Sequence, residues 1–283
     1  MPQEAHVTTR RRAPKEVAIP ATTATRSLPS APAQRAPRVP HALAEPACER
    51  HGVPGCSACH GLAHEEWSVL GEEDLRALNR ARVRRGYAPG EAIFRQGEPC
   101  LGIFCIDSGE VALRKSDEHG GQAIVRLAHA GQTIGYRAYF AGGLYAASAV
   151  ALSQSSVCFI PSDAVRKLVE RDPKLGHRFL ARVADELRES EEARLHVTSL
   201  STRARLAHLL LTLKDRIGVA DDDGSLRFDL PLSRMDIAAL LGARRESIAR
   251  AIRALEEAGV ASFDGRAVRI PDLDALLDEA GVG

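Results

Sequence analysis

Between Ala88 and Pro161 the apolar residues fall in short runs: Ala92–Arg95, Ile103–Ser108, Val111–Arg114, Ala123–Leu127, Ser148–Leu152 and Val157–Ile160. Glycines punctuate them, among them Gly97, Gly109, Gly120, Gly131 and Gly142. Short strands with regular turn signals predict a small antiparallel sandwich or barrel. A short helix precedes it, Glu72 to about Arg82, with Leu75, Leu78 and Val83 as its apolar stripe. After Pro161 the period becomes helical. Ser162–Val169 reads as a short capped helix, and a long helix follows from about Pro173 to Ser199, with proline in its first turn. Leu180, Val183, Leu187, Ser190, Arg194 and Val197 recur on it at alternating three- and four-residue spacing. That spacing is a coiled-coil seam and predicts self-association.

The C-terminal third continues with a helix Arg203–Ile217, capped by Ser201 or Thr202, and a strand over 226–230. Two helices, Ser233–Leu240 and Arg244–Ala258, then flank a tight turn at Gly242. Ile237, Ala238 and Leu241 face inward from the first, and Ile248, Ile252 and Leu255 from the second. The opposite face of the second helix carries Arg244, Arg245, Glu246, Arg250 and Arg253. Runs Ala261–Phe263 and Ala267–Ile270 around Asp264-Gly265 form a hairpin wing. The pattern is a winged helix-turn-helix. Arginine can grip guanine O6/N7 with two parallel hydrogen bonds, and glutamate can accept from the cytosine amino group. Arg245, Glu246 and Arg250 are therefore expected to read bases, with Arg244 beside them. Ser233, Ser247 and Arg253 suit phosphates, which set register without sequence information.

Composition narrows the class. Lys+Arg number 38 and Asp+Glu 37 in 283 residues, so a basic nucleic-acid surface has to be local. No apolar run reaches the ~20 residues that span a bilayer. Eight of the fifteen prolines fall in residues 1–46, which read as a disordered Pro/Arg-rich tail. A cytoplasmic location is expected. Six cysteines there ask for metal, cluster, thiol redox chemistry or plain burial. Cys48, Cys56 and Cys59 crowd together with His51, His60 and His64, and Cys158 stands far downstream. Zinc on Cys56, Cys59 and a neighbouring histidine is one reading. Cys100 and Cys105, in or beside strands, read as small buried hydrophobes. No P-loop, Gly-x-Ser-x-Gly or His-Glu-x-x-His motif occurs, so an enzyme is not expected.

The element order and Arg245-Glu246-x-x-x-Arg250 resemble the Crp/Fnr family of bacterial transcription regulators over roughly residues 48–276. The resemblance implies an α+β protein with an N-terminal antiparallel β-roll of cyclic-nucleotide-binding type, a long dimerisation helix and a C-terminal winged helix-turn-helix. It divides the chain into the tail (1–46), a sensor (47–172), a dimerisation helix (173–200) and a DNA-binding domain (201–283). It implies a homodimer, held through Leu180, Val183, Leu187 and Val197, on an inverted repeat in double-stranded DNA. The half-site is of the TTGA or TGTGA kind, with Ala249 where one branch has serine. RNA polymerase is a partner on the same ground, through the turn Ser116–Gly121.

Cyclic-nucleotide binders of this family resemble one another in a Gly-Glu-Leu and Arg-Ser phosphate cassette. Here Tyr136 replaces the glutamate and Ala146-Ala147 the Arg-Ser pair, with Arg137 the nearby cation. Cyclic AMP is therefore not the expected signal. Val157-Cys158-Phe159-Ile160-Pro161 instead resembles the β-roll ligand of the fumarate-nitrate reduction branch, and Cys56-x-x-Cys59 the first two ligands of its loop. The resemblance implies a [4Fe–4S] cluster on Cys56, Cys59, Cys158 and a fourth ligand. Glu65 stands where that branch has its third loop cysteine, leaving Cys48 as the expected thiolate and Glu65 or His64 as alternatives. The alternatives to a cluster on this scaffold are zinc or thiol redox, haem or nitric oxide sensing, or no cofactor. Glu186, Glu189, Glu191 and Glu192 crowd the long helix with negative charge, solvated or facing their twins in a parallel pair.

Overall fold

The computed structural model describes residues 66–281. The Pro-rich tail and Cys48, Cys56, Cys59, His64 and Glu65 lie outside the described residues. Eight strands form two four-stranded antiparallel sheets. The first runs β1 (Val83–Tyr87), β8 (Ser155–Pro161), β3 (Gly102–Ser108) and β6 (Thr133–Ile134). The second runs β2 (Ala92–Phe94), β7 (Ser148–Ala151), β4 (Glu110–Ser116) and β5 (Gln122–His129). Strand alternation separates two cores. Phe104, Ile106 and Val157 point between the sheets, with Tyr87, Phe94 and Tyr145. Ile103, Cys105, Cys158 and Ile160 point the other way, into a core with helices.

That outer core is roofed by a 3-10 turn Glu66–Val69, α1 (Glu72–Ala81), α2 (Tyr136–Ala141), α3 (Ser162–Arg171) and the start of α4 (Pro173–Ser199). Trp67 is fully buried and meets Phe179 of α4 edge-on, ring centroids 5.6 Å apart. Asp172 caps α4 by accepting from the Lys174 N–H at 3.0 Å. One expectation is corrected here. Val83 does not extend the stripe of α1: it opens β1, an edge strand paired with β8 from Val83↔Phe159 to Tyr87↔Ser155. The segment after Gly135 is helical, between two glycines in the left-handed region, Gly135 (φ 83°) and Gly142 (φ 65°).

The C-terminal part packs α5 (Thr202–Ile217), α6 (Arg234–Leu241), α7 (Arg245–Glu257) and α8 (Leu273–Ala280) around a small sheet. Its strands are β9 (Val219–Ala220), β10 (Leu226–Asp229), β11 (Ser262–Asp264) and β12 (Ala267–Ile270), and β11 and β12 form the wing hairpin. Its apolar core takes in Ala112 and Ile124 of the second β-sheet and Leu152 just after β7, so the winged helix is seated on the roll. Arg114 of β4 also reaches Asp236 of α6 at 2.7 Å, both side chains mostly buried.

Candidate functional site

Ser233 and Asp236 make a reciprocal capping box that starts α6: the Ser233 hydroxyl accepts from the Asp236 N–H at 3.1 Å, and the Asp236 carboxylate accepts from the Ser233 N–H at 2.9 Å. Desolvation raises the Asp236 pKa, but hydrogen bonds from Ser233 and Arg114 outweigh it and hold the carboxyl below its usual range. The box also occupies the Ser233 hydroxyl, which donates to Asp236 at 2.7 Å. Its expected phosphate contact would have to displace that bond. Gly242, left-handed at φ 58°, ends α6 and permits the turn into α7.

Ile248, Ala251, Ile252 and Leu255 bury one face of α7. Arg245, Glu246, Arg250 and Arg253 are exposed, as is Arg244 at the helix N-cap, while Ser247 is half-buried and accepts from Arg250 Nη2 at 3.1 Å. Arg234 at the start of α6 and Arg266 in the wing turn are exposed as well, and both line one cavity of about 190 Å³ with Ser233 and Gly265. They add positive charge beside α7, whose Ile252 lines the same cavity. Sequence reasoning passed over both. The signal for Arg234 was its place next to a helix cap, and for Arg266 its place after the Asp264-Gly265 turn.

A second cavity, of about 640 Å³, lies between β5, α4 and α5, lined among others by Arg126, Arg137, Ala146, Ala147 and Glu186. Tyr136 does not line it. Its ring is buried against Phe179, with centroids 5.4 Å apart, and burial next to the Glu186 carboxylate pushes its phenol pKa far up. Glu186 corrects another expectation. It is neither solvated nor free to face a twin, since its side chain is 9% exposed and Arg126 closes on it as an ion pair. Arg182 approaches at 3.5 Å and Arg137 at 3.9 Å. Arg126 also donates to Gln132 at 3.1 Å.

On the outer face of the first sheet Cys158 is buried, and Arg82 Nη1 donates to its Sγ at 3.6 Å. Cys105 is buried and Cys100 only half-buried. Among the described residues no three His, Cys, Asp or Glu side chains converge as a metal site. Of the expected cluster thiols only Cys158 falls within them. The expected dimer residues Leu180, Val183, Leu187 and Val197 all lie exposed along α4. The turn after β4 is closed by Asp117, which accepts from the N–H groups of His119 and Gly121.

Residues 84–172 match the cyclic nucleotide-binding domain, and residues 204–279 match the Crp-like helix-turn-helix domain. The chain belongs to the Crp/Fnr family of transcription regulators. Like the Crp/Fnr proteins it resembles, it is a DNA-binding regulator and not an enzyme. It is 27% identical to the anaerobic regulatory protein of Pasteurella multocida over 214 residues, 75% of this chain and 78% of that one. It is 26% identical to the fumarate and nitrate reduction regulatory protein of Vibrio cholerae over 243 residues, 84% and 96% of the two chains. The structure of FixK2 from Bradyrhizobium japonicum superposes with a TM-score of 0.62 at 25% identity, covering 70% of this chain and 96% of that one. Among the described residues of this Crp/Fnr regulator, no helix is long and apolar enough to cross a membrane.

Proposed function

We propose that this Crp/Fnr regulator is oxygen-responsive: a cytoplasmic homodimer that binds an inverted repeat through α7, under the control of a [4Fe–4S] cluster. The tail (1–46), sensor (47–172), dimerisation helix (173–200) and DNA-binding domain (201–283) divide the work. Arg244, Arg245, Glu246 and Arg250 reach base edges, and Ser247, Arg253, Arg234 and Arg266 hold phosphates. The turn around Asp117 offers a contact for RNA polymerase.

The observation that carries the sensor reading is Cys158. Arg82 Nη1, 3.6 Å from the sulfur, brings a hydrogen bond and a positive charge to an anionic cluster held there. Its face is roofed by Glu66–Val69, the stretch that directly continues the loop of Cys56 and Cys59. The donor chemistry fits: Cys56, Cys59 and Cys158 would hold the group, with Cys48, Glu65 or His64 as the sequence's choices for the fourth ligand. When bound, the cluster supplies an oxygen-labile iron centre. The protein's own part is to tie the loop to the sheet that packs on the start of α4, and so to bias the α4 pairing. Similarity to anaerobic regulators supports the same reading. Ala146 and Ala147 at the cavity wall, with Arg126 and Arg137 engaged by Glu186, speak against a cyclic nucleotide phosphate there.

The test is air-free purification. The expected result is brown protein with about four iron and four sulfide per chain, losing colour and operator binding in air. Colourless protein whose DNA affinity ignores air overturns the sensor reading. Arg245→Ala is expected to cost about 1–3 kcal/mol and relax preference at one base pair, read by footprinting on a site series.

A further inference from the structure

The geometry points to Cys105 as the fourth thiolate of the cluster site, paired across the sheet with Cys158. This rests on the cluster reading above and names a ligand that reading leaves open. β3 and β8 are antiparallel neighbours in which Cys105 stands directly opposite Cys158, between the pairs Phe104↔Phe159 and Ile106↔Val157. Directly opposed residues carry their Cβ atoms about 4.5–5.5 Å apart on one face. Both thiols lie on the face that carries Ile103 and Ile160, away from the core between the sheets.

The loop's re-entry point is tied to the same spot. Trp67 Nε1 donates to Thr133 Oγ1 at 3.0 Å, Thr133 Oγ1 donates to Glu66 Oε2 at 3.2 Å, and Cys105 Sγ lies 3.7 Å from that same hydroxyl. Glu66 thus anchors the chain beside Cys105. Cys59 is seven residues upstream of that anchor, within a reach of at most about 25 Å. Cys48 is eighteen residues upstream of it.

Chemistry favours the same assignment. Iron–sulfur clusters select soft thiolates over carboxylate or imidazole, and Glu65 occupies the loop position where a third thiolate is expected. A sheet that presents two thiols needs only two from the loop, and Cys56-x-x-Cys59 supplies two. The loss at position 65 and the second thiol at position 105 then compensate each other. Plain burial explains a small apolar side chain at 105. It does not explain why that side chain faces Cys158 beside the Thr133–Glu66 pair.

The experiment uses the full chain, purified and reconstituted without air, as wild type, Cys105→Ala, Cys105→Ser and Cys48→Ala. Iron, acid-labile sulfide and the visible absorption spectrum are the readouts, with far-ultraviolet circular dichroism and melting of the iron-free proteins as the fold control. Cys105→Ala is expected to lose at least about nine-tenths of the iron with its circular dichroism unchanged. Cys48→Ala is expected to match wild type. Cys105→Ser is expected to keep part of the iron with a shifted spectrum, because oxygen replaces sulfur on one iron; a packing role would not move the spectrum. Full iron with an unshifted spectrum in both Cys105 variants overturns the assignment, as does loss in Cys48→Ala alone. If Cys105→Ala fails to fold, the Cys105→Ser spectrum decides by the same criterion. Absence of iron in the wild type is a different result: it removes the cluster reading itself, and this ligand with it.

Discussion

Glu186 is the residue on which the sensor's electrostatics turn. A carboxylate this enclosed survives only because Arg126, Arg182 and Arg137 converge on it from β5, α4 and α2. Removing one partner of such a set leaves guanidinium charge without its counter-ion. Glu186→Gln keeps the shape and removes the charge, and is expected to cost about 2–4 kcal/mol. The readout is denaturant unfolding with an unchanged slope. Stability within about 0.5 kcal/mol of wild type would mean the cluster of arginines is solvated in solution. The sequence shows a run of glutamates on a helix and nothing more, because Arg126 lies 60 residues away from Glu186. Residues of one sign on one helix read as a solvated face until the tertiary partners are known. The reading face of α7 behaves oppositely: its arginines were legible because a helix fixes which side chains share a face.

At the scale of elements, α4 and α5 meet through two histidines. His196 and His208 stack with ring centroids 4.8 Å apart. Desolvation and the neighbouring His196 lower the His208 pKa below 6.5, and only the Ala280 carbonyl of α8 works against them. Arg194 on α4 and Arg205 and Arg216 on α5 line the same cavity, with Lys115 of β4, and add positive charge; Glu186 and Glu189 of α4 add negative charge. A histidine whose folded pKa is depressed binds fewer protons folded than unfolded. Its stabilising effect is complete above the unfolded value and is lost as pH falls through 6.5 toward the folded value. The wild type is therefore expected to melt lower at about pH 5.5 than at about pH 7.5, and His208→Gln is expected to show a flatter dependence between them. Equal slopes in the two proteins would remove the pair from the account. Most elements were legible: six of the eight strands of the roll, α4 to the residue, and the two helices of the reading motif follow period and caps, while β6 is only two residues long and went unread. β1 was not, because Val83-Arg-Arg-Gly-Tyr87 has no alternating apolar face and is held by pairing with β8. α2 is six residues long, too short for a period to declare itself. α8 carried a usable signal that was passed over, since Asp272 caps it and Gly281 ends it.

At the scale of the whole molecule, α4 presents an unfinished surface among the described residues. α4 has 27 residues, about 40 Å of helix, yet only Leu175 and Phe179 near its start are buried. Beyond them Leu180 is 67% exposed and Leu187 60%, in line with Val183 and Val197 at coiled-coil spacing. A stripe of this kind is costly in water and is covered most economically by its own copy about a two-fold axis. Such a pair would carry two α7 helices, and an inverted repeat needs them about 34–36 Å apart, one turn of DNA. Leu187 sits in the middle of the stripe and touches no core, so a charge there tests pairing without testing the fold. Leu187→Glu is expected to leave the melting of the single chain within about 0.5 kcal/mol while shifting sedimentation from dimer to monomer. Losing the second half-site should then weaken operator binding at least about 100-fold, with a single half-site still protected at high protein concentration. A variant that still sediments as a dimer would place the interface elsewhere, and the spacing of the two reading helices would have to come from another surface.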